Sequence, residues 1–278
     1  MAYKTDLPVM LPVSKKEPEP FFGLRAWYIL PIALIAILGP SLAFAQSEEG
    51  VQSPLAVLLN WAPLLMHGFI FNLVISISAM AFGTVVGAML GLGQISLIPT
   101  VRGGSWFITQ FFRNAPWLVL LFFAMFLLPF EINVFGLKIP FPDWLKAILG
   151  LSLPVMANVS EIVRGAVKSL PSGQWEAAES LAYTRLQTLW LIILPQCVKR
   201  MLPPWMNLYS ILTMATVLAS IVGVSEVMTL TGQALASEGG RPELLAPFYG
   251  FVLLLFFVYC YPIARLTVRL EKKFAVIG

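Results

Sequence analysis

The chain of 278 residues is 58% hydrophobic and 12% charged, with a formal net charge of +4. A charged fraction about half that of a soluble domain excludes an ordinary water-soluble globule, and the lack of ten-residue alternating segments excludes a transmembrane barrel. The basic excess does not call for nucleic acid, because membrane proteins crowd Lys and Arg into their cytoplasmic loops.

Residues 1–24 are rich in proline and charge and are expected to form a disordered cytoplasmic tail. An uncharged run, Ala26–Ala45, follows Arg25 and places a transmembrane helix over 25–45. Ala43-Phe44-Ala45 before Gln46 also has the form of a signal-peptide cleavage site. Cleavage would remove the first span and leave the rest of the topology unchanged. Gly68–Gly93 is the second span. Ala79, Gly83, Gly87 and Gly91 recur in it every four residues, making one smooth ridge. The ridge reads either as a packing seam of a transport domain or as a generic small-residue contact. The third span is Trp106–Phe130, which carries Arg113; Pro129, Pro140 and Pro142 then mark an outer loop. Ala147–Ser160, between Lys146 and Glu161, is the fourth span, and Met201–Ser225 the fifth. Gly239, Gly240 and Pro242 mark a second outer loop before the sixth span, Ala246–Ala264. The expected fold is all-α and polytopic, with five core transmembrane helices plus one N-terminal helix.

Charge sets the orientation. With the N-terminal tail inside, only Lys138, Lys146 and Arg241 of the 18 Lys and Arg residues fall outside. That asymmetry places both ends in the cytoplasm. It puts the one long polar region between spans, 165–200, there too.

This region has readable local physics. Pro171 stops the preceding helix, and Ser172 is expected to cap the next. Glu176 falls in the first turn, where the helix dipole favours an anion. Ala177, Ala178, Leu181 and Ala182 make a small, nearly smooth face. Thr184 to Gln187 has capping-box spacing and restarts a helix, which Pro195 is expected to interrupt. A short helix with so small a face suits insertion into a partner's groove.

Glu176-Ala177-Ala178 followed by Ile192-Ile193-Leu194-Pro195 resembles the E-A-A loop of ATP-binding-cassette (ABC) importer permeases with a MetI-like transmembrane domain. Glu161-Ile162-Val163-Arg164-Gly165, Pro171-Ser172-Gly173-Gln174 and Phe112-Arg113-Asn114-Ala115-Pro116 are similar to the polar amino acid uptake branch. The resemblance covers about residues 60–270. It implies a coupling helix docked on separate ABC ATPase subunits, with Gly173, Glu176, Ala177, Ala178, Ala182, Leu194 and Pro195 serving the coupling. It further implies a second permease subunit (identical or homologous), a periplasmic solute-binding protein, and a setting in the bacterial inner membrane. Two positions depart from the pattern. Ala182 stands where the family has glycine, at a turn where left-handed backbone costs alanine roughly 1–2 kcal/mol. Met214-Ala215-Thr216-Val217-Leu218 replaces a K-D-T-S-L run, removing charge from a span.

No phosphate-binding G-x-x-x-x-G-K-[ST] segment, catalytic constellation or metal-ligand cluster occurs, so no cofactor, metal or ATPase activity is expected of this chain. Cys197 and Cys260 are not expected to pair, and the lone His67 reads as an interfacial polar group. Glu161 is expected to pair with Arg164 three residues on, and Glu226 to serve structure or gating. Arg113 and Asn158 are candidates for the substrate route, against anchoring or helix–helix hydrogen bonding. An ion-coupled secondary transporter is the alternative function; it requires inverted repeats and mid-membrane carboxylates.

Overall fold

Glycine at every fourth position lets two helices meet backbone to backbone, and the fold is organised around one such meeting. The computed structural model describes residues 53–134 and 137–274; the expected tail and the 25–45 segment lie outside the described residues. Helix α1 (Pro54–Gln94) starts at Ser53, whose hydroxyl accepts from the Ala56 N–H, with Pro54 in the first turn. Helix α4 (Asp143–Lys168) is the central helix: 72% of its most apolar window is buried, against 33% for the other long helices.

Ala79, Gly83, Gly87 and Gly91 face α4 as one seam. A Cβ on Gly83 would lie 2.5 Å from Val155 Cγ1, one on Gly87 2.5 Å from the Met156 carbonyl, and one on Gly91 2.7 Å from Val163 Cβ. Val155, Val159 and Val163 are themselves an every-fourth-residue ridge, so valines of α4 sit directly over glycines of α1.

The expected third span is broken. Helices α2 (Pro99–Asn114) and α3 (Trp117–Leu127) meet at a 107° bend. Pro116 disfavours helical backbone at the residue before it. Ala115 (ψ 139°) and Pro116 (ψ 131°) are accordingly both extended. The outer loop that follows is not wholly irregular: β1 (Glu131–Val134) pairs antiparallel with β2 (Leu137–Pro140), Glu131 opposite Pro140. Apart from that hairpin, the regular structure among the described residues is helical.

The return path also differs from expectation at Pro195. Helix α5 (Gly173–Ser180) and the one-turn α6 (Arg185–Gln187) precede a π-helical segment, Thr188–Ile193, which runs directly into α7 (Leu194–Ala215). Pro195 sits in the first turn of α7, where its missing N–H is not needed. It therefore begins a helix, and Arg185–Val222 is one continuous 38-residue helical run, long enough for its start to project beyond a bilayer core. The span tightens to a 3-10 turn over Thr216–Val222 and ends at Gly223, whose φ is +91°. Helix α8 (Val227–Ser237) was not anticipated, being only 11 residues long. It packs beneath α1, with Val227 against Gly68. Helix α9 (Leu245–Phe274) closes the bundle, Phe248 and Val252 meeting Leu65 and Phe69 of α1.

One fully buried polar cluster ties these elements together. The Asn72 amide donates to Glu226 Oε2 (2.7 Å) and Thr216 Oγ1 (3.0 Å), and its oxygen accepts from the Val227 N–H (3.1 Å). Glu226 Oε1 accepts from the N–H groups of Met228 and Thr229, capping α8. Glu226 is thus a structural cap, in keeping with the role expected of it.

Gly87→Val should destabilise the purified protein by about 2 kcal/mol or more, because overpacking costs more than the roughly 0.3–0.5 kcal/mol of helix propensity gained. Gly103→Ala, where a Cβ would meet nothing within 4 Å, should be neutral or slightly stabilising. Thermal unfolding of the two variants in detergent checks the contrast. Asn72→Leu, which strands Glu226 Oε2 in a dry site, should cost about 2–4 kcal/mol in the same assay.

Candidate functional site

The loop between α4 and α7 builds itself from short-range hydrogen bonds. After Lys168 the Ser169 N–H closes α4 on Gly165 and Ala166. Ser172 does not cap α5 as expected: its backbone is already helical (φ −58°, ψ −32°), and its side chain makes no capping bond. Its carbonyl instead accepts from Glu176 N–H at 3.1 Å. Glu176 occupies the first turn, as expected.

Alanine takes the glycine conformation at 182. Its φ is +60°, and it is the one non-glycine residue with positive φ among those described. The Ala182 N–H donates to the Glu179 carbonyl and the Tyr183 N–H to the Ala178 carbonyl, the paired bonds of a left-handed helix cap. Immediately after it, the expected capping box is present. Thr184 Oγ1 accepts from the Gln187 N–H, and Gln187 Oε1 accepts from the Thr184 N–H.

Gly173, Glu176, Ala177 and Ala182 are all exposed. Ala178 is not: at 2% exposure it faces inward. The outward patch is completed by Leu181, 72% exposed, and Leu186, 67% exposed. Leu186 escaped the sequence reading because it follows the turn rather than belonging to α5. Leu194 is half-buried and Pro195 exposed, both at the start of α7.

The loop is bound to the spans behind it. Ala166, Val167 and Leu170 cluster with Ile193 and Cys197, and Trp175 packs against them. Arg200 donates to the Ser169 carbonyl and hydroxyl at 2.8 Å, and Gln196 to Gln174 at 3.1 Å. Arg185 lies over the Trp175 ring. These contacts join α5 to both α4 and α7. Cys197 and Cys260 are both buried free thiols.

Arg113 and Asn158 line one cavity of about 570 Å³, together with Glu161, Arg200 and Asn207. Arg113 Nη1 is 3.6 Å from Glu161 Oε2, and Glu161 also pairs with Arg164, as expected. The Asn158 amide donates to the Pro154 carbonyl one turn back. The residue that joins these helices was missed. Gln94 Nε2 lies within hydrogen-bond distance of Ser160 Oγ (2.8 Å), Thr109 Oγ1 (3.2 Å) and Glu161 Oε1 (3.2 Å), linking α1, α2 and α4, while its Oε1 is buried without a partner among the described residues. Its signal was an amide at the end of a long uncharged run. The Met214–Leu218 departure lies where α7 tightens: Met214 is exposed, while Thr216 is buried on Asn72. His67 is exposed on α1, and the described residues hold no group of three metal-binding side chains.

Residues 83–275 match the family described as "Binding-protein-dependent transport system inner membrane component". The chain is 34% identical over 213 residues to the "Probable amino-acid ABC transporter permease protein YckA" of Bacillus subtilis, covering 77% of this chain and 90% of the relative. It is 32% identical over 207 residues to the "Inner membrane amino-acid ABC transporter permease protein YhdY" of Escherichia coli, covering 74% of this chain and 55% of that protein. The chain thus spans nearly all of one relative and about half of the other. A solved amino acid ABC transporter, crystallised with histidines, shares the fold at a TM-score of 0.66 and 23% identity over 78% of this chain and 96% of that one.

Ala182→Gly should stabilise the loop by about 1 kcal/mol. Relief of left-handed backbone gives roughly 1–2 kcal/mol, offset in part by the freer unfolded chain. Slower hydrogen exchange over residues 173–187, with no change in the transmembrane helices, is the expected result.

Proposed function

From the premise that this chain belongs to the family of binding-protein-dependent transport system inner membrane components, we propose that it is the permease of an ABC importer carrying a polar amino acid or a related small solute across the bacterial inner membrane. The α5–Ala182–α6 loop carries this reading: it presents Glu176, Ala177, Leu181 and Leu186 outward from the basic end of a helical bundle. An exposed apolar patch with a carboxylate at its edge is what a docking helix offers a partner groove.

In this reading residues 60–270 form the permease domain and 165–200 its cytoplasmic coupling loop. ATP hydrolysis belongs to separate ATPase subunits that receive α5. Their closure moves α5, and the Arg200–Ser169 and Trp175 contacts pass the movement to α4 and α7. A second permease subunit faces the first across the route, and a periplasmic binding protein delivers the solute. The amino acid class is supported by the names of YckA and YhdY. Arg113 and Asn158 lie along the route, where Arg113 is held by Glu161 and Asn158 by the helix backbone.

Glu176→Lys should leave membrane insertion intact. It should lower both ATPase co-purification and uptake of labelled amino acids by about ten- to a hundredfold, as expected for a reversed charge in a docked interface. Uptake that persists without any associated ATPase and follows an ion gradient would establish a secondary transporter instead.

A further inference from the structure

Two adjoining cavities of about 430 and 440 Å³ open at the basic end of the bundle, between the α1–α2 elbow and the coupling loop. They share Gln94, Arg102 and Lys168 as walls. Arg164 adds to one and Arg185 to the other, and no acidic side chain lines either. Arg164 is paired with Glu161, but Arg102, Lys168 and Arg185 form no ion pair among the described residues. All three side chains are solvent-exposed, so their charge is open to an anion that enters the hollow.

We propose that this hollow binds the phosphate headgroup of an anionic phospholipid from the cytoplasmic leaflet. The charge chemistry alone would suit any phosphate, because arginine and lysine together give forked and point-charge donors. The rim selects a lipid. Trp106, in the wall of the hollow, is 54% exposed, and Leu97, Ile98, Val101 and Phe107 around Arg102 are exposed as well. Basic, tryptophan and exposed apolar side chains at the start of α2, where the broken third span enters the bilayer, have the composition of a membrane–water interface. Positive-inside asymmetry puts this end at the leaflet where anionic lipids attract basic side chains. The apolar rim receives the acyl chains while Arg102 and Lys168 hold the phosphate. Because Ser172, Trp175 and Arg185 line the same hollow, a bound headgroup bridges the interfacial elbow and the coupling loop. The site depends on the chain spanning a membrane in this orientation and not on which solute it carries.

The test is native mass spectrometry of the full chain in mild detergent with phosphatidylglycerol or phosphatidylcholine added at equal mole fraction. Wild type should retain phosphatidylglycerol preferentially. The Arg102→Ala/Lys168→Ala double variant should lose that preference by about ten- to thirtyfold, and Lys168→Gln alone by a smaller factor of the same sign. Arg265→Ala/Arg269→Ala removes equal charge from the end of α9, outside the hollow, and should retain the preference. Millimolar inorganic phosphate should not displace the lipid. An equal loss in the α9 variant would mean diffuse attraction, and full displacement by phosphate would mean a soluble-anion site. Either result, or the absence of any preference in wild type, overturns the proposal.

Discussion

Direct backbone contact between α1 and α4 is the constraint on which the remaining packing depends. In lipid the tails are as apolar as leucine, so helices gain little from hiding apolar surface and must associate by close packing. Glycine at 83, 87 and 91 supplies that closeness, and the valines opposite fill the space left by the absent side chains. This contact makes α4 the central post. Helices α2, α3 and α7 then lean on it, and the coupling loop hangs from its end.

Two polar clusters fix what the seam alone would leave free to slide. Asn72 ties the middle of α1 to the start of α8 and to Thr216, while Gln94 ties its end to α2 and α4. An unmet polar group in a dry interior costs several kcal/mol, so the Asn72 cluster, whose amide nitrogen and oxygen are both paired, admits few alternative alignments. The first lies at the level where α7 tightens into its 3-10 turn. The second stands beside both the Arg113 cavity and the basic hollow. Contacts at the cytoplasmic surface are thus one hydrogen bond away from the long helices.

The second, fourth, fifth and sixth spans were legible because length and scarcity of charge are sufficient signals for a helix in a bilayer. The loop was legible because its chemistry is local: Thr184 finds Gln187 three residues away, and Glu176 needs only the first turn of its own helix. Where local logic had two solutions it failed. Ser172 could have capped α5 from outside but joined the helix instead, and Pro195 could have broken a helix but began one. The bend at Pro116 was written in the sequence but masked by the uncharged run around it. The hairpin and α8 were too short to stand out. The Gln94 and Asn72 clusters bring together residues from 15 to 155 positions apart, a proximity that no short window of sequence contains.

The π-helical segment at Thr188–Ile193 has a geometric consequence for the loop. An α-helix advances about 100° per residue, and a π turn accommodates one residue more than an α turn. The segment therefore works as an azimuthal offset, fixing the compass bearing of α6 about the α7 axis. Removing one residue there, at constant composition elsewhere, would swing Leu186 by roughly a quarter turn against the α4-anchored Glu176. The direction in which α6 faces is thus set by residue number in a stretch that takes no part in the exposed patch itself.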